Sequence, residues 1–265
     1  MTRESRPQIP QEKLFVVKRN SKKIDFDRPF TLIYFQWWFQ LLDFPAILLA
    51  WILAALSAIY FGLRVSGREH RKILRRQGCI LVSNHCHYFD TVLASWLLLP
   101  RRLYISVAQR NFEVPIVRRI LRLVRGFPIP ARPDGFEMIT GPVGEALRRG
   151  HHVLFLPEGE LVYLSQQIYR FKSGGFRLAY LHQAPIVPMV CVLTPRRLFG
   201  RTFVHWPRIR MVYGEPVLPP APRPDGALPL DEIHAMMERV AAWMEQTIQT
   251  YHRRAATEQR LDQTC

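Results

Sequence analysis

From Gly78 onward the chain alternates short apolar runs with longer stretches whose apolar residues recur at helical spacing. Short runs closed by Pro, Gly or Asn read as buried strands, and the longer amphipathic stretches read as helices. Strands are expected over 79–83, 103–107, 127–131, 153–156, 186–193 and 209–213. Helices are expected over 91–99, 114–124, 136–149, 175–182 and 231–252, with Gly141 and Pro142 allowing a later start for the third. This alternation predicts an α/β domain with a single mixed, mostly buried sheet flanked by helices. Residues 214–230, rich in Pro and Gly, read as a linker wrapping the domain. No internal repeat or low-complexity tract is present.

The stretch before Gly78 has a different pattern. Between Phe30 and Leu63 one charge, Asp43, interrupts an apolar run, and residues 44–63 alone supply 20 nearly unbroken apolar positions. That is about the length of one bilayer span. Pro45 divides the run into an aromatic part with Tyr34, Trp37 and Trp38, which suit the headgroup region, and a longer aliphatic part. Residues 1–28 form a basic arm, and Arg64, Arg68, Arg71, Lys72, Arg75 and Arg76 follow the apolar run. A single crossing would put one basic flank on the wrong side, against the positive-inside tendency. A helical hairpin or another monotopic insertion on the cytoplasmic face of the inner membrane is therefore favoured over a single span.

Composition sharpens two points. With 37 Lys and Arg against 21 Asp and Glu, the formal net charge is +16, which points to an anionic membrane surface or anionic substrates. The cations are spread along the chain and gathered on no single helix or motif, so no nucleic-acid partner is expected. The four cysteines, at 79, 86, 191 and 265, have no paired spacing and read as reduced thiols of a cytoplasmic compartment. His85-Cys86-His87 lacks a second ligand pair, so no metal site is expected.

The candidate chemistry gathers around Ser83-Asn84-His85-Cys86-His87-Tyr88-Phe89-Asp90. The stretch reads as strand, loop and helix, with Asp90 as a natural N-cap of the helix. A carboxylate that accepts an imidazole N–H fixes the tautomer and stabilises the imidazolium. The other ring nitrogen is then free to take a proton from a hydroxyl. The plainer reading is a capped helix beside a loop histidine. Further on, Arg132 stands just past a strand as a fork of donors for phosphate or carboxylate. Pro157-Glu158-Gly159 closes another strand at its carboxyl end, where ligands of open α/β sheets bind. Phe171-Lys172-Ser173-Gly174-Gly175 adds a cation at a helix start, and Ala184 to Val190 is an apolar strand with two prolines that lines a groove.

In order and spacing, these blocks resemble the glycerolipid acyltransferase family, whose best-known members are lysophosphatidic acid acyltransferases. The likeness rests on Asn84, His85 and Asp90, then Gly126 to Arg132, Pro157-Glu158-Gly159, the Phe171-Lys172 element and the final Pro-rich strand. It covers roughly residues 78–215. The chain departs from the family in having Glu160, Leu161 and Val162 where Thr, Arg and Ser are usual, and Pro128 and Pro130 in the Gly…Arg block. At the first departure a hydroxyl and a cation are lost and a negative charge is gained. The resemblance implies the acyltransferase fold over residues 65–222, a membrane-inserting segment at 29–64, and a linker with a C-terminal helix at 223–265. It implies transfer of a fatty acyl group from acyl-CoA or acyl carrier protein, as co-substrate and without a bound cofactor, to a lysolipid hydroxyl at the bilayer. Lysophosphatidic acid is the default acceptor. His85 would be the general base and Asp90 its orienting partner. Arg132, Glu158, Gly159 and Lys172 would hold the acceptor's polar head, and Asn84 would support the loop or the oxyanion. The alternatives are another lysolipid as acceptor, whether phospholipid, amino-acid lipid or glycolipid, and a non-catalytic membrane lipid-binding scaffold.

Overall fold

Seven strands form one sheet in the order β1-β7-β6-β2-β5-β3-β4 in the computed structural model of the chain. The structure describes residues 6–9, 24–26, 30–98, 101–132, 134–198 and 201–264. Five strands run parallel: β2 (Ile80–Ser83), β3 (Leu103–Ala108), β4 (Gly126–Ile129), β5 (His152–Phe155) and β6 (Ile186–Leu198). The strand β7 (Arg201–Tyr213) returns antiparallel to β6, and the short β1 (Arg64–Ser66) lies parallel to β7. The loops after β2, β3, β4 and β5 therefore all leave from one edge, the carboxyl end of the parallel strands, where open sheets build their sites.

Every residue of β2 and β5 is buried, which is why both read as continuous apolar runs without alternation. Helices cover both faces. On one side lie α5 (Gly135–Arg148), α6 (Gly174–Leu181) and α7 (Leu230–Thr264), packed through Ile139, Phe176, Met236 and Met244. On the other lie α2 (Asp90–Leu97) and α1 (Trp37–Tyr60), packed through Leu93, Ala58 and Phe61. The short α3 (Gln109–Phe112) and α4 (Pro115–Leu123) connect β3 to β4.

Three expectations from the sequence are corrected. Of the apolar segment, Trp37–Tyr60 form one helix that continues through Pro45 without the break a hairpin needs, and residues 30–36 are not helical, with Leu32 and Ile33 buried in the core. Proline there removes its own N–H, leaving the Leu41 carbonyl without that donor, and sets its ring against that carbonyl, yet the helix runs on to Tyr60. Pro142 likewise sits inside α5 without ending it. Asp90 is the first residue of α2 and not its cap: Phe89 occupies the cap position, and the carboxylate turns back into the preceding loop. Finally, β6 and β7 extend beyond the predicted runs to 13 residues each, forming an arm that projects past the sheet. The outer residues of β7 (201–205) are exposed and carry no period-2 apolar signal.

The helix α1 is tied to the domain along its length. Asp43 near its start is buried and its Oδ2 accepts the Arg125 Nε–H at 3.1 Å, just before β4. Ile47, Ala54 and Ala58 continue the buried stripe, and the Phe61 carbonyl accepts the Ile209 N–H from β7. The outer face, with Leu41, Leu48, Leu49, Ile52, Leu56 and Ile59, is exposed. Of the basic arm, residues 6–9 and 24–26 are described: Arg6 is buried in ion pairs with Glu238 and Glu245 of α7, and Phe26 packs in the core. The other residues of the arm, like Cys265, Leu99 at the end of the predicted first helix and the tip of the β6–β7 hairpin, lie outside the described residues.

Candidate active site

The turn from β2 into α2 is built around the Asp90 carboxylate. Its Oδ2 accepts the His85 Nδ1–H at 2.9 Å and the backbone N–H groups of Cys86 and His87 at 3.1 and 3.3 Å. The loop therefore wraps an anion, and the imidazole is one of three donors to it. With Nδ1 bound, Nε2 carries no hydrogen bond to any described residue, and His85 keeps partial exposure while Asp90 is buried. Burial opposes protonation of His85, but the charge and hydrogen bond of Asp90 outweigh it, with Glu158 and Glu160 acting in the same direction. The imidazole pKa is raised above its ordinary value.

Around this pair stand supporting groups. Asn84 is buried, and its amide accepts the Cys191 N–H at 2.8 Å and donates to the Cys191 carbonyl at 3.1 Å. It thus continues the β2–β6 ladder one residue past the last paired position, Ser83 with Met189. Glu158 is buried in the turn after β5. Its Oε2 accepts the His85 N–H at 3.1 Å and its Oε1 the Tyr169 N–H at 3.0 Å. Burial is the main cause that lifts its pKa to about 7, partly offset by those two backbone donors. With both oxygens engaged by backbone, Glu158 braces the His85 loop and does not point a free oxygen at a ligand; Asn84 faces inward in the same way. The strap 160–166 closes over the loop: Val162 and Leu164 donate backbone N–H groups to the carbonyls of His85 and Cys86.

Gly159 adopts φ +83°, a backbone conformation that favours glycine, and the flexible Lys172 side chain lies over its α-carbon, with Nζ 2.5 Å from where a Cβ would stand. Lys172 is thereby placed beside the Pro-Glu-Gly turn, next to His85's strand. Arg132 leaves from the same edge but after β4, three strands from β2 or roughly 14 Å at ordinary strand spacing. It is exposed, with its Nε bonded to Asp134 at 2.9 Å. The structure thus joins His85, Asp90, Asn84, Glu158, Gly159 and Lys172, and sets Arg132 at the far end.

One residue beside the candidate site was not singled out in the sequence. Arg110, at the beginning of α3 after β3, is ion-paired with Glu160. Since β3 neighbours β5, the charge that replaces the family's usual hydroxyl meets a cation on the adjacent loop. The signal was available: a basic residue just past the end of a strand, as at Arg132. Gln109 beside it accepts the Ala131 N–H at 2.7 Å and holds the loop after β4. Among the described residues no three His, Cys, Asp or Glu side chains are grouped to share a metal ion.

A histidine and carboxylate five residues apart, at the carboxyl edge of a largely parallel sheet, define an acyltransferase-type site. Residues 62–192, just under half of the chain, match the family model described as Acyltransferase. Among curated proteins it is similar to 1-acyl-sn-glycerol-3-phosphate acyltransferase beta of Homo sapiens, with 31% identity over 133 residues, 49% of this chain and 47% of the relative. The chain thus matches about half the length of that relative. Among solved structures it is similar to the 1-acyl-sn-glycerophosphate (LPA) acyltransferase PlsC from Thermotoga maritima, with TM-score 0.50 and 15% identity, over 82% of this chain and 89% of that one. At that identity the likeness is one of fold.

Proposed function

We propose that the protein transfers a fatty acyl group from a thioester, acyl-CoA or acyl carrier protein, to the free hydroxyl of a lysolipid. The observation that carries this reading is the 2.9 Å bond from His85 Nδ1 to Asp90 Oδ2, which leaves Nε2 as the base. In the step proposed, Nε2 takes the proton of the acceptor hydroxyl as its oxygen attacks the thioester carbonyl. The tetrahedral intermediate then collapses, breaking the C–S bond, and the thiolate takes the proton from His85 Nε2, which restores the neutral base. Asp90 stabilises the imidazolium that forms in between. No acyl-enzyme is required, because a bound hydroxyl and a positioned base suffice.

Lysophosphatidic acid is the default acceptor, in keeping with the names of the similar proteins. Another lysolipid is favoured by one specific observation: Glu160, paired with Arg110 and near enough to act on the charge of His85, sets a carboxylate beside the site, which would disfavour a phosphate monoester. The monotopic reading is supported by α1. Its buried stripe runs from Asp43 to Phe61, about 27 Å of helix held against the domain, so its outer apolar face would enter one leaflet lying along the surface. Basic residues on both sides of α1 fit the cytoplasmic face of the inner membrane. The test is transfer of labelled acyl groups by the purified protein to lysophosphatidic acid and a panel of other lysolipids, with both donors. Acylation of at least one lysolipid is expected; no transfer to any acceptor from either donor would overturn the assignment.

A further inference from the structure

Beyond Leu193 and Ile209 the β6–β7 hairpin leaves the sheet, and its two strands pair only with each other. Its root is fastened to the end of α1. Arg196 and the Trp206 indole both donate to the Tyr60 carbonyl, at 2.7 and 3.0 Å, satisfying an acceptor that the helix terminus leaves free. The Arg196 guanidinium lies 4.0 Å over the Trp206 ring, and Tyr60 packs on the same ring at 5.0 Å. An irregularity in the pairing leaves four β7 residues between Phe203 and Arg208 opposite one on β6. Across this bulge Trp206 meets Phe203 edge-on at 6.1 Å. An aromatic and cationic cluster therefore begins where the apolar outer face of α1 ends, next to the exposed Leu56, Ile59 and Tyr60.

The charge of the arm is one-sided. Residues 194–214 contain five Arg and no Asp or Glu, and Arg201 and Arg208 are exposed beside the exposed Phe203. Aromatic rings with arginines at the end of an apolar helix match the headgroup layer of an anionic bilayer, where rings sit at the interface and cations gain from the lipid phosphates.

We propose that the β6–β7 arm is a second membrane-docking element, seated on anionic lipid headgroups beside α1. This rests on the membrane reading given above and adds to it a second, charge-dependent contact. With α1 and the arm both on the bilayer, the protein is held at two points. Phe61, the residue after α1, packs on His87 at 4.8 Å, so the His85 loop lies against the same helix end to which the arm is fastened.

The test uses the full chain and two kinds of vesicle, phosphatidylcholine alone and phosphatidylcholine with phosphatidylglycerol, with binding read by co-sedimentation. A combined Arg201→Gln, Phe203→Ser, Arg208→Gln variant should lose at least tenfold in partitioning to the anionic vesicles and only two- to threefold to the neutral ones. Acyl transfer in detergent micelles should match the wild type, which also reports that the variant is folded. Equal binding by variant and wild type, with the wild type bound, would overturn the arm while leaving α1 as the anchor. Wild-type protein that binds neither vesicle would sink the membrane reading itself. Unchanged vesicle binding with a several-fold rise in KM for the thioester donor would assign the arm to the donor and overturn the proposal.

Discussion

Glu158 Oε2 accepts the backbone N–H of His85 at 3.1 Å, across 73 positions of sequence. The turn after β5 and the turn after β2 are thus one structure. They can meet because β2 and β5 are neighbouring parallel strands whose carboxyl ends lie together. In the proposed reaction Glu158 would act through the loop it holds, whereas His85 would meet the substrate directly.

Asp90 is the group that makes His85 a base of raised pKa. Activity requires the imidazole neutral, so it should fall as pH drops through a midpoint above the ordinary 6.5. Asp90→Asn removes the charge while leaving burial to oppose protonation. The acidic limb of the kcat/KM profile should then move to lower pH, with kcat reduced by roughly 10²- to 10⁴-fold. An unmoved limb would show that another group titrates.

Glu158 also gives a stability prediction with a definite sign. Its folded pKa is about 7 against an ordinary 4.5, so folding favours its protonated form. That contribution is complete below pH 4.5 and is lost as pH rises through 7. The amount is on the order of 3 kcal/mol at most. Relative to wild type, Glu158→Gln should therefore become progressively more stable between pH 4.5 and 8 in urea unfolding. Activity should nevertheless fall, because an amide NH₂ group cannot accept one of the two backbone N–H groups. A pH-independent stability difference would contradict the assignment of a buried, titrating carboxyl.

The Arg110–Glu160 pair should influence acceptor choice. Glu160→Thr restores the hydroxyl usual in the family and frees Arg110, which should raise the kcat/KM ratio of lysophosphatidic acid to zwitterionic lysolipids severalfold. Arg110→Gln should shift the ratio the opposite way. Equal effects of each change on all acceptors would make the pair structural only.

The outer face of α1 should anchor the protein. Replacing Leu49 and Ile52 together by Ser removes two exposed apolar contacts without touching the buried stripe. Vesicle partitioning should drop by roughly tenfold or more, at about 25 cal/mol per Å² of apolar surface no longer buried in lipid. Soluble-state thermal unfolding should change little.

Much of this architecture was legible before the structure. The five parallel strands announced themselves as short apolar runs because they are buried on both faces. The Pro-Glu-Gly turn and the His85 loop were legible because special residues punctuate strand ends. What escaped the sequence reading was non-local. That Glu158 and Asn84 face inward follows from backbone groups of Tyr169, His85 and Cys191, distant in sequence. Asp90 as a loop centre and Asp90 as a helix cap share one sequence pattern, and only the direction of the carboxylate separates them. The continuity of α1 through Pro45 depends on its packing from Asp43 to Phe61, and the arm's exposed strands carry no periodic apolar signal.

The central claim is that His85, oriented by Asp90, is the base of an acyl transfer to a lysolipid. The most direct measurement is labelled acyl transfer by purified His85→Ala protein beside wild type, with vesicle binding and thermal unfolding recorded on both. The account predicts transfer reduced by at least a thousandfold, with binding and unfolding unchanged. Transfer within tenfold of wild type by the folded, membrane-bound variant would contradict it.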